Sequence, residues 1–228
     1  MMHSLFPSPA WPALPVLGLD GTYPVHRIFC VGRNYAAHAA EMGDEADRET
    51  PFYFTKSALA FAPSGSRQPY PPGTSDYHHE VELAVAIGTP AFQVTPTQAL
   101  AAVYGYGTAL DMTRRDLQLA AKDKARPWSL AKDVEASAII GTLTRAADFQ
   151  PGDQTISLTV NGQPRQQGHL SDMIFNALEL IADLSRFYHL APGDVILTGT
   201  PAGVGPVVAG DVIEGRIEGL EPVRLTLI

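Results

Sequence analysis

A chain of 228 residues, 45% hydrophobic and 18% charged, is long enough to bury one sizeable core without disulfides or a structural metal. Its net charge of -8 argues against nucleic acid or an anionic membrane as a partner, and no apolar run approaches the ~18 residues of a membrane span. The same charge means that an anionic substrate must be drawn in by local cations. The 19 prolines and 20 glycines point to short strands and many turns rather than a helical bundle. The single cysteine, Cys30, lies in the apolar run Ile28-Phe29-Cys30-Val31 and reads as a small buried hydrophobe in a reduced compartment. The N-terminus has no basic segment and carries Pro7, Pro9, Pro12 and Pro15, so no signal peptide is expected and a cytoplasmic location follows.

In chain order, residues 1–24 read as an extended, proline-rich arm and residues 25–228 as a single domain. A strand over Ile28–Val31 runs into Gly32-Arg33-Asn34, with Asn34 placed to cap a short helix that stops at Gly43. Residues 44–50 are acidic and polar, hence a loop. Pro51–Phe61 reads as a strand containing Lys56, followed by a Pro/Gly/Ser-rich loop to Asp76. The stretch His78–Gly88 splits by parity: Val81, Leu83, Val85 and Ile87 fall on one strand face, and Glu80, Glu82, Ala84, Ala86 and Gly88 on the other. Thr95–Val103 is expected to be a short helix capped by Thr95 or Thr97, and Tyr104–Leu110 a strand ending at Asp111. Thr113-Arg114-Arg115-Asp116 fits a capping box that opens a helix to about Lys124. Ile156–Val160, the Asn161-Gly162 turn and a return strand make the clearest hairpin. Ser171 to about His189 reads as the longest helix, with Ile174, Leu178 and Ile181 on one stripe. Gly193-Asp194 and Gly210-Asp211 are turns, each followed by a β-branched pair that resumes a strand.

The chemistry starts from Glu80 and Glu82. Two carboxylates ~7 Å apart on one strand face repel unless a cation lies between them, and the small residues that follow leave open space beside them. Asp111, ending a strand just before a helix, would complete an all-oxygen site suited to hard cations, Mg²⁺ first, with Mn²⁺ or Ca²⁺ as options. Zinc is disfavoured without a Cys or His pair at ligand spacing. A bare Glu-x-Glu more often marks a solvated strand face; the Ala and Gly neighbours tilt the reading towards metal. His38 and Glu41 lie one turn apart, close enough for the carboxylate to orient the imidazole as a general base, although on spacing alone an exposed pair is commoner. Lys132, a lone cation after Trp128-Ser129-Leu130-Ala131, could stabilise an oxyanion or enolate; most such lysines reach out to solvent. Thr198–Pro206 is a glycine loop whose hydroxyls and N–H groups could hold a carboxylate, and it lacks the spacing of a nucleotide site.

Together these motifs become familiar. The ordered segments Val31-Gly32-Arg33-Asn34-Tyr35 with His38 and Glu41, His79-Glu80-Val81-Glu82-Leu83, Leu110-Asp111-Met112-Thr113-Arg114-Arg115-Asp116, Leu130-Ala131-Lys132 and Leu197-Thr198-Gly199-Thr200-Pro201 resemble the fumarylacetoacetate hydrolase family over residues 25–228. The resemblance implies an α+β, β-rich catalytic domain, a mixed β-roll with a few flanking helices, assembled as a homodimer. It implies Glu80, Glu82 and Asp111 as ligands of Mg²⁺ or Mn²⁺, and His38 with Glu41 as a water-activating pair on a short helix that orders over substrate. It further implies Lys132 as the oxyanion or enolate partner, with Arg115, Gln118 and Thr200 contacting substrate oxygens. Within the family, the proline-rich arm and the lead-in Tyr23-Pro24-Val25-His26-Arg27 are most similar to the fumarylpyruvate hydrolase branch. Two departures stand out: Ser57 follows Lys56 where a Lys-Pro pair is common, and Leu170 stands where a threonine is frequent.

The implied reaction is hydrolytic cleavage of a C–C bond in a small anionic β-diketo acid, 3-fumarylpyruvate giving fumarate and pyruvate. Decarboxylation of oxaloacetate or isomerisation of another 2-oxo acid uses the same groups and stands as the alternative. A non-catalytic metal-binding module is the remote one, because all five residues of the ligand triad and the dyad are present.

Overall fold

The computed structural model describes residues 5–6, 10–43, 48 and 50–228. Most of the acidic segment read as a loop, residues 44–47 and 49, lies outside the described residues. Along the chain, β1 (Ala13–Pro15) and β2 (Thr22–Pro24) form a hairpin, and β3 (Arg27–Gly32) leads into α1 (Ala36–Glu41). Then come β4 (Phe52–Lys56), a 3₁₀ turn, β5 (Phe61–Pro63), β6 (Ser66–Gln68), β7 (Tyr77–His79) and β8 (Val81–Ile87). The middle of the chain supplies α2 (Pro96–Ala99), β9 (Val103–Asp111), β10 (Thr113–Arg114), α3 (Arg115–Asp123) and α4 (Ser129–Lys132). Strands β11 (Ala138–Ile140), β12 (Thr144–Arg145), β13 (Thr155–Val160) and β14 (Gln163–His169) precede α5 (Ala177–Leu184). The chain closes with β15 (Asp194–Leu197), β16 (Gly205–Val207), β17 (Val212–Ile217) and β18 (Val223–Leu227).

This is the expected β-rich α+β architecture with few helices. The largest sheet is mixed, ordered β4-β3-β15-β8-β9-β11-β5 with β12 on β9, and its β3–β15 and β5–β11 pairs are parallel. A five-stranded sheet, β14-β13-β17-β18-β6, packs its Ile156, Leu158, Ile213 and Leu225 against Val81, Leu83 and Val85 of β8. Burial of both faces explains why β8 reads as a nearly continuous apolar run. The other face of β8 carries Ala84 and Ala86, and the space beside them is filled by Leu14, Val16 and Tyr23 of the N-terminal hairpin. The open space expected beside these alanines is therefore closed; small side chains admit a covering layer here rather than a cleft. Residues 13–24, read as extended arm, contribute three core side chains, and Cys30 is buried among them as expected.

Several local expectations give way to tertiary contacts. Asn34 does not cap α1; its side chain bonds Phe175 O at 2.9 Å, Thr198 O at 2.7 Å and Phe175 N at 2.8 Å, and Tyr35 takes the cap position without a side-chain bond. The Thr113 capping box does not form either, because the Thr113 hydroxyl turns inward to Glu80 and Asp116 binds Thr74 and Ser75. The strand read over Pro51–Phe61 breaks at Ser57 into a 3₁₀ turn. The long helix read from Ser171 begins only at Ala177, where Asn176 and Glu179 form a capping box, and ends at Leu184. Thr95 caps α2 as expected, and the Asn161-Gly162 turn carries φ of 53° and 74°, the left-handed pair that a two-residue hairpin turn needs. Among the described residues no helix is long and apolar enough to cross a membrane.

Candidate active site

The carboxylates converge because of strand register. β8 and β9 run antiparallel with Val81 opposite Leu110, so Asp111, one step further, comes beside Glu80, and Asp111 N donates to Glu80 O at 2.9 Å. Alternation turns Glu80, Glu82 and Asp111 to one side, and one oxygen from each lies within 4.8 Å of the others. All three are at least 96% buried, since none exceeds 4% exposure. Three bare carboxylates could not be held there, and three cations answer them. Lys132 Nζ donates at 2.8 Å to both Glu80 Oε2 and Asp111 Oδ2, Arg115 Nη2 donates to Glu80 Oε1, and Lys56 Nζ lies 2.8 Å from Asp111 Oδ1. Lys132 is thus buried at the site and does not reach for solvent.

The cations are shared unevenly. Burial alone would raise the Glu80 carboxyl, but Lys132 and Arg115 together outweigh it and hold Glu80 below the usual carboxylate range. Glu82 receives Gly199 N–H at 2.7 Å but no direct cation. Burial first, then the Asp111 and Glu80 charges, push its carboxyl well above the usual range. For Lys132, burial opposes the charge, and the two carboxylates overcome it and push the ammonium up to about 12.

Lys56 is a member of this group that the sequence reading passed over. Its Nζ donates to Ser137 Oγ at 2.8 Å, to Met112 O at 3.1 Å and to Lys132 O. With its three N–H groups so directed, it gives Asp111 Oδ1 charge contact without an aligned hydrogen bond, and that oxygen is buried with no donor. The available signal was register: Lys56 pairs with Ile28 and Phe54 with Cys30, on a face that is otherwise core.

Opposite the carboxylates, α1 presents His38, whose Nδ1 lies 3.2 Å from Glu41 Oε2. Glu41 also accepts Gly203 N–H at 3.1 and 3.2 Å, which ties α1 to the glycine loop. Gly203 has φ of +97°, and a Cβ there would lie 2.1 Å from Arg165 O, so only glycine fits. Thr200, on the same loop, accepts Gln166 Nε2 at 2.7 Å. Gln166 was also passed over: from β14 its Oε1 accepts Val81 N at 3.1 Å and pairs with His79 Nδ1 at 3.0 Å, joining the carboxylate strand to the loop. On α3, Arg115 Nη1 donates to Gln118 Oε1. His38, Glu80, Glu82, Arg115, Gln118, Lys132 and Thr200 all line one cavity of about 500 Å³, counting its open mouth. Asp111 and Glu41 stand behind that lining, each touching a residue that reaches it.

The donor set fits a hard divalent cation: three carboxylates, one oxygen lacking any donor, and one carboxyl raised by burial and then by the charges beside it. Residues 27–228 match the family model described as fumarylacetoacetate (FAA) hydrolase C-terminal. The chain belongs to this family. Among its fumarylacetoacetate hydrolase relatives, a fumarylpyruvate hydrolase from a Ralstonia species is 50% identical over 188 residues, 82% of this chain and 98% of the relative. The crystal structure of fumarylpyruvate hydrolase from Pseudomonas aeruginosa in complex with Mn²⁺ and pyruvate superposes with a TM-score of 0.95 at 43% identity, covering 99% of both chains. An oxaloacetate tautomerase of Escherichia coli (strain K12) is 43% identical over 199 residues, 86% of this chain and 90% of that one. The second reaction named among these relatives is therefore an isomerisation rather than a decarboxylation.

Proposed function

We propose that this protein is a divalent-metal-dependent hydrolase that splits a C–C bond in a β-diketo acid, converting 3-fumarylpyruvate and water to fumarate and pyruvate. The observation that carries this reading is a single cavity in which a buried three-carboxylate group faces a paired histidine. Glu80, Glu82 and Asp111 hold Mg²⁺ or Mn²⁺, which when bound polarises and orients the 2-oxo acid end of the substrate. Charge supports an anionic ligand: Lys56, Arg115 and Lys132 already oppose three carboxylates, so an added dication leaves a local positive surplus in a chain of net charge -8.

Arg115, Gln118 and Thr200 donate to the substrate's carboxylate and carbonyl oxygens. His38, its Nδ1 fixed by Glu41, takes a proton from water at Nε2, and the water oxygen adds to the distal carbonyl carbon. The Lys132 ammonium balances the negative oxygen that results. On collapse the bond to the central methylene carbon breaks, and its electron pair delocalises into the 2-oxo group. That carbon then takes up a proton, giving pyruvate, while the added oxygen leaves in fumarate. The same reading places the enzyme in aromatic catabolism, as a cytoplasmic homodimer; light scattering at micromolar protein would return the monomer mass if the dimer is wrong.

Oxaloacetate tautomerisation is the second reading, supported by the tautomerase relatives. It shifts a proton between carbon and oxygen without attacking water. The deciding experiment incubates purified protein and Mn²⁺ with 3-fumarylpyruvate and quantifies fumarate and pyruvate separately. Equal amounts, lost on adding chelator, are expected. Absence of fumarate, with faster enol-to-keto conversion of oxaloacetate, replaces hydrolysis by tautomerisation. Absence of any Mn²⁺ affinity by calorimetry would revive the non-catalytic module.

A further inference from the structure

We infer that His78 is a positioning residue: it fixes the plane of the Arg115 guanidinium, so that the remaining N–H groups of Arg115 meet the substrate's oxygens at a set angle. The inference deepens the proposed function and rests on Arg115 holding substrate oxygens there. The pair His78-His79 precedes the carboxylates directly, and neither ring is among the groups that line the cavity. Strand β7 turns the two rings to opposite sides. His79 Nδ1 pairs with Gln166 Oε1 on β14 at 3.0 Å. His78, two residues before Glu80, meets Arg115 at the start of α3.

Each nitrogen of the Arg115 guanidinium has one protein partner. Nε donates to His78 Nδ1 at 3.3 Å, Nη1 to Gln118 Oε1 and Nη2 to Glu80 Oε1. A guanidinium carries five N–H groups, so one on each Nη remains for a ligand in the cavity that Arg115 lines. Two anchors at the Nη end alone would let the planar group pivot about the line joining them. The third, at Nε, lies off that line and stops the pivot. Tilting of the plane would turn the remaining N–H groups away from a bound carboxylate, and hydrogen bonds weaken steeply as alignment is lost. The proton on His78 is placed by the same contacts. Arg115 Nε–H can only donate, so His78 Nδ1 is the bare acceptor and the ring proton sits on Nε2, which donates to Asp76 Oδ1 at 2.9 Å. Asp76 also accepts Arg115 N–H at 2.7 Å through its own carbonyl, so one residue holds both the ring and the start of α3. The His78 side chain is only 14% exposed, which gives water little access to replace it as the acceptor.

The test measures binding rather than turnover. Mn²⁺-loaded protein is titrated with pyruvate, one product of the proposed reaction, and the dissociation constant is followed through water-proton relaxation by the metal. His78→Phe and His78→Leu both remove the acceptor, and either should weaken pyruvate roughly tenfold while Mn²⁺ affinity stays near wild type. His78→Asn, whose amide oxygen reaches the place of Nδ1, should keep most of the affinity. Arg115→Lys, which has no counterpart of Nε–H, should itself weaken pyruvate, and adding His78→Leu to it should cost nothing more. Unchanged pyruvate affinity in the Phe and Leu variants overturns the inference. So does a loss that His78→Asn fails to recover, that adds to Arg115→Lys, or that Mn²⁺ binding shares, since each would make His78 a general support of β7. Pyruvate affinity unaffected by Arg115→Lys overturns it one step earlier, because Arg115 then does not hold the acid. Fumarate formation from 3-fumarylpyruvate judges the hydrolase reading separately, since these affinities do not depend on it.

Discussion

Glu80, Glu82 and Asp111 stand on the middle strands of an eight-stranded sheet, whereas His38 and Glu41 stand on a six-residue helix whose N-cap, Tyr35, makes no side-chain bond. The first group is fixed by strand register, by three buried cations and by packing on both faces of β8. The second rests on Gly203 N–H, on the Lys122 bond to Met42 O and on the Tyr35–Met173 bridge. A helix this short is marginal by itself, so its position depends on contacts such as these and on the packing of the buried Tyr35 and Ala39. The contrast teaches a division of labour. The wall that would bind metal needs fixed oxygens, while the wall that would move protons can be built on an element able to adjust to a ligand.

The sharpest way to break the comparison is His38→Ala. Loss of a general base predicts a fall of 10²- to 10⁴-fold in fumarate formation, with Mn²⁺ affinity near wild type by calorimetry. Activity that survives would remove His38 from the chemistry. Next is Lys56→Met, which strips one buried cation from Asp111 and takes the ammonium donor from Met112 O and Ser137 Oγ. A loss of about 3–5 kcal/mol is expected in denaturant unfolding of the metal-free protein. A loss below 1 kcal/mol would mean that Lys132 alone suffices for Asp111.

Gln166→Glu probes the link between the two walls. It keeps the acceptor for Val81 N–H but removes the N–H groups given to Thr200 and Pro201. If Gln166 acts by leaving the Thr200 hydroxyl free to donate, kcat/KM should drop roughly tenfold. Combining it with Thr200→Val should cost no more than Thr200→Val alone. Additive losses would separate the two residues. The smallest effect is on stability in Glu82→Gln, which relieves the repulsion from Asp111 and Glu80 while its amide oxygen can still accept Gly199 N–H. Metal-free protein should melt a few degrees higher, about 2–4 °C per kcal/mol for a chain of this size, while Mn²⁺ binding is lost. A lower melting temperature would show that Glu82 is stabilising as it stands.

Strand parity made most of this site legible. His78–Gly88 alternates in sequence, and the period of two holds because β8 pairs with β9 without a break from Val81 to Ala86. The motif order supplied Asp111, Lys132 and the His38–Glu41 pair. Lys56 and Gln166 escaped because lysine and glutamine in strands ordinarily face water, and what buries them here comes from segments 76 to 85 residues away. The caps failed for the same reason in reverse. Asn34 and Thr113 have the right chemistry for local bonds but find partners 141 and 33 residues distant that a local pattern does not register. In the long helix, apolar residues at helical spacing ran past the true start, which the Asn176–Glu179 box marks.

One further consequence follows from β8 having a used face on both sides. Shifting β8 by one residue against β9 at Glu80 and Glu82 would exchange the carboxylates for valine and leucine, emptying the site and charging the core at once. The register of this strand at Glu80 and Glu82 is therefore constrained from both faces, while the irregularity at Ala86 and Ile87 lies beyond the carboxylates. New substrate preferences are reachable instead through single substitutions on the outer wall, at positions such as Arg126 and Trp128, which leave the register of β8 untouched.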